Sequence, residues 1–215
     1  MYMDLLKRFL SDELHLDPDK DVEKFVLYEK LLLEWNKKIN LISRKSHSIE
    51  DHILNSIFFL SKYKLDNFKS LADIGTGGGF PGIPLKILFP ELKLLLVDSI
   101  QKKVIVLEDI IEKMRLKDIE AVCGRAEDIS KDPKFTNKFD RVISKAVSSL
   151  DNLYEWGNNF LKPAGELVCI KGGEINAELE SLKKLNCNFK TEVINFELFR
   201  YKIEDKKLVV IKNYD

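Results

Sequence analysis

Apolar positions follow two rhythms along the chain, and the change between them comes near residue 70. Up to that point the spacing is helical. Leu5, Leu6, Phe9, Leu10 and Leu14 predict a helix over 2–14, which Pro18 interrupts. Val22, Phe25, Val26, Leu32, Leu33 and Trp35 predict a long amphipathic helix over 19–42, with Trp35 as a core anchor. A third helix is expected near Ser48, where Ser48 and Asp51 resemble a capping box, and it carries His52 and Asn55. From Ser70 the apolar residues come as short continuous runs rich in Val, Ile and Leu, at 70–74, 92–97, 119–123, 139–144 and 165–170. Continuous runs separated by helical stretches (81–89, 101–115, 149–160 and 174–185) predict a mainly parallel sheet buried on both faces. Two last runs, 192–198 and 207–212, flank Glu204-Asp205-Lys206 and predict a closing antiparallel hairpin turning at those three residues. The chain thus divides into a helical extension, 1–65, and a Rossmann-like α/β core, 66–215, expected to form one compact unit.

Composition narrows what such a chain can do. Lys+Arg and Asp+Glu number 35 each, so the formal net charge is zero and a nucleic-acid partner would have to meet a local basic patch. Cys123, Cys169 and Cys187 form no C-x-x-C pair, and neither a metal site nor a disulfide framework is expected. Asp4, Lys7 and Arg8 lie within the first ten residues, which is unlike a signal peptide, and no apolar run is long enough to span a bilayer. A cytoplasmic protein without a membrane partner is expected.

The chemistry concentrates at the end of the first core strand, Ser-Leu-Ala-Asp-Ile-Gly-Thr-Gly-Gly-Gly-Phe-Pro-Gly over 70–82. A strand that ends in glycines and feeds a helix is expected to leave backbone N–H groups open to an adenosine-containing cofactor, with Asp73 at the rim. Gly77-x-Gly79-x-x-Gly82 matches the dinucleotide fingerprint, and Asp98 follows at a distance that suits a ribose. Asp73, two positions before Gly75, favours S-adenosylmethionine (SAM) instead. A carboxylate there suits the cationic amino-acid end of SAM and repels a diphosphate. The Ala126-Glu127 turn after the third strand would meet the adenine, and Lys145 would stand beside the reactive end.

These residues resemble the small-subunit ribosomal RNA guanine-N7 methyltransferases, also called the glucose-inhibited division protein B family. The likeness extends over nearly the whole chain, through Trp35-Asn36, Asn40-Leu41 and His52-Ile53-Leu54-Asn55-Ser56 in the helical extension. Its most specific part is Phe80-Pro81-Gly82-Ile83-Pro84, and Val97-Asp98-Ser99, Gly124-Arg125-Ala126-Glu127, Ser144-Lys145-Ala146 and Lys171-Gly172 extend it. The resemblance implies a class I methyltransferase fold with a seven-stranded sheet. It also implies SAM as cofactor, and N7 of a guanine in 16S rRNA, free or in an assembling small subunit, as target. Gly75, Gly77, Phe80, Asp98, Ala126, Glu127 and Lys145 are the expected cofactor contacts. Lys145 stands where the family usually has Arg, and Asn55 where it usually has Asp; Lys keeps the charge and loses the bidentate fork.

Guanine N7 carries a lone pair and no proton, so no acid, base or nucleophile is expected of the protein. Because N7 lies on an edge that a deep, narrow A-form groove hides, the target base has to be exposed. Phe80 is suited to stack on it or to face the cofactor. Lys37, Arg44, Lys45, Lys145 and Lys171 are the expected RNA contacts, and the protein is expected to be a monomer.

Overall fold

A computed structural model describes residues 3–43, 48–65, 69–185 and 188–213. Its centre is a seven-stranded sheet of order β3-β2-β1-β4-β5-β7-β6. The strands are β1 (Ser70–Ile74), β2 (Lys93–Asp98), β3 (Ile119–Cys123), β4 (Phe139–Lys145), β5 (Leu161–Gly172), β6 (Phe189–Leu198) and β7 (Ile203–Asn213). The first five run parallel, and β7 lies antiparallel between β5 and β6. Strand order reverses between β1 and β4, and the carboxyl ends of strands at such a reversal are where open α/β sheets bind ligands.

The apolar runs work because alternate residues face opposite layers. Leu71, Leu94, Leu96, Ile143, Val168 and Ile170 join one core cluster, and Ala72, Ile74, Leu95, Val97, Val142, Leu167 and Cys169 join the other. The first layer is covered by α1 (Asp4–Asp12), α2 (Pro18–Asn36), α3 (Glu50–Ile57), α4 (Gly82–Leu88) and α5 (Gln101–Lys113). The second is covered by α6 (Ala126–Ile129), α7 (Leu150–Gly157) and α8 (Asn176–Lys183). Side chains of α1–α3 thus share a core with the sheet across the boundary drawn at residue 66.

Three expectations are corrected. Helix α2 stops at Asn36, six residues short of Ile42, because the buried Asn36 Oδ1 accepts the Leu41 and Ile42 N–H groups (2.8 and 3.0 Å) and turns the chain. Ser48 does not form a capping box with Asp51; its Oγ accepts the Glu50 N–H (3.1 Å). The start of α3 is tied down by Glu29, which accepts the Ile49 N–H (2.8 Å), and by Glu50, which accepts the Leu6 N–H (2.9 Å). The closing hairpin turns at Phe199–Tyr201 and not at 204–206, since Tyr201 is buried and packs edge-on against Phe9 at 5.2 Å. Trp35 is a half-buried tie: its indole N–H donates to Asp109 of α5 (2.7 Å).

Candidate active site

The glycine loop between β1 and α4 is closed on itself. Gly75 and Thr76 N–H groups donate to the Val97 carbonyl, and those of Gly79 and Phe80 to the Thr76 carbonyl. The Gly77 N–H goes to Asp98 Oδ2 and that of Gly82 to Asp73 Oδ2, both at 2.9 Å. The expected open row of donors is therefore absent, because the end of β2, the Thr76 carbonyl and two carboxyl groups have taken the N–H groups of Gly75, Thr76, Gly77, Gly79, Phe80 and Gly82. A diphosphate would find few free donors here and the Asp98 carboxylate opposing it, so the fingerprint match does not make a dinucleotide site.

Asp73 is also not at the rim. It is fully buried; Oδ2 accepts from Thr76 Oγ1 (2.7 Å) and Gly82, and Oδ1 has no hydrogen-bond partner. Burial raises its pKa from 3.8 to about 7, against the opposing effect of those two hydrogen bonds and of Lys145. A carboxyl raised in the folded state contributes stability that is complete below its unfolded value and is lost as pH climbs through the folded one. The free protein should therefore lose stability between about pH 4 and pH 8, on the order of 4 kcal/mol from this group. Asp73→Asn, which cannot ionise, should flatten that slope in urea melts run across the range. Equal slopes in the two proteins would remove Asp73 as its source.

A cavity of about 200 Å³ opens at the carboxyl ends of β1, β2 and β3, lined by Ile74, Gly75, Val97, Asp98, Ser99, Gly124, Arg125, Ala126, Glu127, Val147 and Trp156. Four of the expected cofactor residues, Gly75, Asp98, Ala126 and Glu127, come together here. Apolar side chains offer walls for a flat ring, while Asp98 and Glu127 offer acceptors for hydroxyls. Asp98 Oδ1 accepts from Ile100 N (3.0 Å) and Lys103 Nζ stands 3.5 Å from Oδ2. Gly77, at φ +60, has open space where a Cβ would stand, beside its bond to Asp98. This lining fits the adenosine part of SAM. Val147 and Trp156 escape a reading of the sequence because only the packing of α7 and the preceding turn brings them to β1, and no local pattern marks them. A larger cavity, about 460 Å³, lies at the opposite ends of β2, β3 and β4 around Lys93, Asp118, Lys134 and Phe135, away from the strand ends where the loop sits.

A second cavity of about 290 Å³ adjoins the ends of β4 and β5, lined by Asp51, His52, Asn55, Lys145, Ala146, Ile170, Lys171, Gly172 and Lys206. Phe80 is not among the residues lining the first cavity. It is buried against Tyr28 (5.4 Å) and His52 (5.4 Å, ring planes 30° apart), with the Lys145 ammonium 5.5 Å from its ring centre. Tyr28 in turn donates to the Gly78 carbonyl (2.7 Å), which seats α2 on the loop. Burial and the nearby Lys145 hold His52 below the usual histidine pKa, so it is neutral at pH 7. Burial likewise lowers Lys145, with Asp73 opposing and Lys206 reinforcing. Lys206, which the polar pattern assigns to a turn, faces this cavity because β7 starts early and pairs it with Gly172.

The expected RNA cations do not all gather. Lys145 and Lys171 line the second cavity, but the Lys171 ammonium is committed to the Ser148 carbonyl and to Glu178, both at 2.6 Å. Lys37 is exposed just beyond α2, past the Trp35 tie to α5, and lines neither cavity. Arg44 and Lys45 lie outside the described residues.

A cofactor cavity at β1–β3, a loop with its donors already used and a sheet closed by an antiparallel β7 define a class I SAM-dependent methyltransferase. Solved structures share the fold. An O-methyltransferase from Bacillus cereus in complex with SAH superposes with a TM-score of 0.60 at 15% identity, covering 96% of each chain. Ribosomal protein L11 methylase from Lactobacillus delbrueckii subsp. bulgaricus gives 0.56 at 14% identity, over 77% of this chain and 80% of that one.

The chain belongs to the rRNA small subunit methyltransferase G (GidB) family, whose model matches residues 21–209. Ribosomal RNA small subunit methyltransferase G of Thermoanaerobacter sp. (strain X514) is 39% identical over 198 residues, 90% of this chain and 82% of that protein. The protein of the same name from Desulfitobacterium hafniense (strain Y51) is 38% identical over 213 residues, 98% and 88% of the two chains. The activity of this chain is SAM-dependent methylation of guanine N7 in 16S rRNA.

Proposed function

We propose that the two cavities divide the work of this reaction, with the segment Lys145-Ala146-Val147 as the partition between them. The observation that carries the proposal is that Val147 lines the first cavity while Lys145 and Ala146 line the second. The first holds SAM through Gly75, Gly77, Asp98, Ala126 and Glu127, with Val147 and Trp156 against the adenine. The second receives the target guanosine. Bound SAM supplies an electrophilic methyl group. N7 needs no deprotonation, so the protein's part is to hold the base in line and keep water out. Neutral His52 on Phe80 gives that cavity a flat, partly apolar side suited to a base. Lys145 and Lys206 suit the flanking phosphates as point charges. Phe80 then acts from beneath, and the exposed Lys37, with Arg44 and Lys45, belongs to a wider RNA surface. The protein works as a cytoplasmic monomer on rRNA or an assembling small subunit.

Transfer of labelled methyl from SAM to 16S rRNA, followed by mapping of N7-methylguanosine, tests the assignment; label on any other atom would overturn it. Lys145→Gln is expected to lower kcat/KM for rRNA roughly 10- to 100-fold, as loss of a charged hydrogen-bonding group does. Its SAM affinity by calorimetry should change far less. A parallel loss of both would move Lys145 wholly to the cofactor. Lys171→Gln should act on folding through the Ser148 and Glu178 contacts it releases.

A further inference from the structure

The turn between β6 and β7 carries an exposed aromatic that the core does not use. Phe199 is 67% exposed, and Arg200 and Lys202 beside it are exposed as well. Among the described residues neither cation forms an ion pair, whereas the nearby Asp205 is committed to Lys207. An aromatic flanked by unpaired cations is the usual make-up of a surface that stacks an unpaired base and holds its phosphates.

The turn is also held rigidly at the right end of the molecule. β5 runs toward the site and β7 runs away from it, so the residues that open β7 stand at the mouth. Ile203 is three residues from Lys206, about 10 Å along a strand. Lys206 already lines the guanosine cavity. Tyr201 anchors the turn to α1, through its edge contact with Phe9 and a hydrogen bond to Asp12 (3.4 Å). Helix α1 is tied to the start of α3 by the Leu6 to Glu50 bond, and α3 supplies Asp51, His52 and Asn55 to the same cavity. Phe199 is thus presented on a braced support continuous with the cavity wall.

We propose that Phe199, Arg200 and Lys202 form a second RNA contact, in which Phe199 stacks on an unpaired nucleotide of the rRNA strand flanking the target guanine. The proposal rests on the rRNA reading above and extends it beyond the cavity. Acidic Glu197 and Glu204 border the turn and are exposed, which confines the contact to the tip.

The test uses the full chain and protein-free 16S rRNA. Phe199→Ala should weaken rRNA binding roughly 5- to 100-fold, as loss of one stacked base does. Phe199→Trp should restore it. Arg200→Gln with Lys202→Gln should reduce the slope of log affinity against log salt by about 1.4 to 1.8, for two phosphates released. SAM affinity should stay at the wild-type value in every variant. Wild-type affinity in Phe199→Ala with an unchanged salt slope in the double variant would overturn the proposal. So would an effect confined to assembled subunits, which would assign the turn to a ribosomal protein. Methyl transfer by the wild-type chain is measured alongside. If it fails, the rRNA reading fails and this inference with it; if it succeeds while the binding results are negative, this inference alone fails.

Discussion

Asp98→Ala should weaken SAM binding by about 100-fold or more. The carboxylate does two things at once. It lines the cavity at the end of β2 and, in the function proposed above, accepts from the ribose hydroxyls. It also shapes that cavity, because its two oxygens accept the Gly77 and Ile100 N–H groups at 2.9 and 3.0 Å. A hydrogen bond to a charged acceptor contributes ~1.5–3 kcal/mol, and losing two to the ribose hydroxyls would exceed the ~2.7 kcal/mol that a 100-fold change in binding requires. Calorimetry with SAM measures the effect, and a thermal melt of the free variant reports how much of it is loop loosening. Asp98→Asn, which keeps one acceptor oxygen, should fall between. Unchanged SAM affinity in Asp98→Ala would show that the cofactor does not reach the end of β2.

The second large effect is on stability. A Cβ at Gly82 would lie 2.4 Å from Leu96 Cδ2 and 2.8 Å from Asp73 Oδ2. Leu96 is fully buried in β2 and Asp73 in β1, so neither can give way into solvent. Gly82→Ala must therefore overpack the core beneath the loop, at a cost of ~1–3 kcal/mol, and weaken the Gly82 to Asp73 hydrogen bond as well. For a chain of this size each kcal/mol moves Tm by about 2–4 °C, so a fall on the order of 10 °C is expected. Calorimetric scanning of the free protein checks it, and a fall below about 2 °C would mean that α4 shifts freely on β1. The glycine here answers to close packing of α4 on the strand, a role independent of which cofactor binds.

Much of the fold is legible in the order of residues alone. The switch at residue 70 from helical spacing to continuous apolar runs marks the five parallel strands; the central β1 and β2 are buried almost throughout, whereas the edge strand β3 is only half-buried and exposes Glu120, so burial on both faces holds for the middle of the sheet alone. Asp98, Ala126 and Glu127 are legible since a strand end followed by a turn is a local feature. The hairpin turn is misplaced by the same logic, because a polar triplet, Glu204-Asp205-Lys206, looks like a turn. The actual turn is made by Tyr201 burying its ring against α1. That displacement conceals Lys206 and Phe199 together.

The loop at 75–82 draws the division most clearly. Its residues dictate that a strand ends there, that glycines let the chain fold tightly, and which family the surrounding motifs belong to. Packing in three dimensions settles the rest: the loop's donors are used internally, Asp73 lies beneath it and not at its rim, and Val147, Trp156, His52 and Lys206 complete the two cavities. Hydrogen-bond partners and cavity walls come from strands and helices far apart in the chain, and their pairing depends on which segments end up adjacent, which no local pattern records.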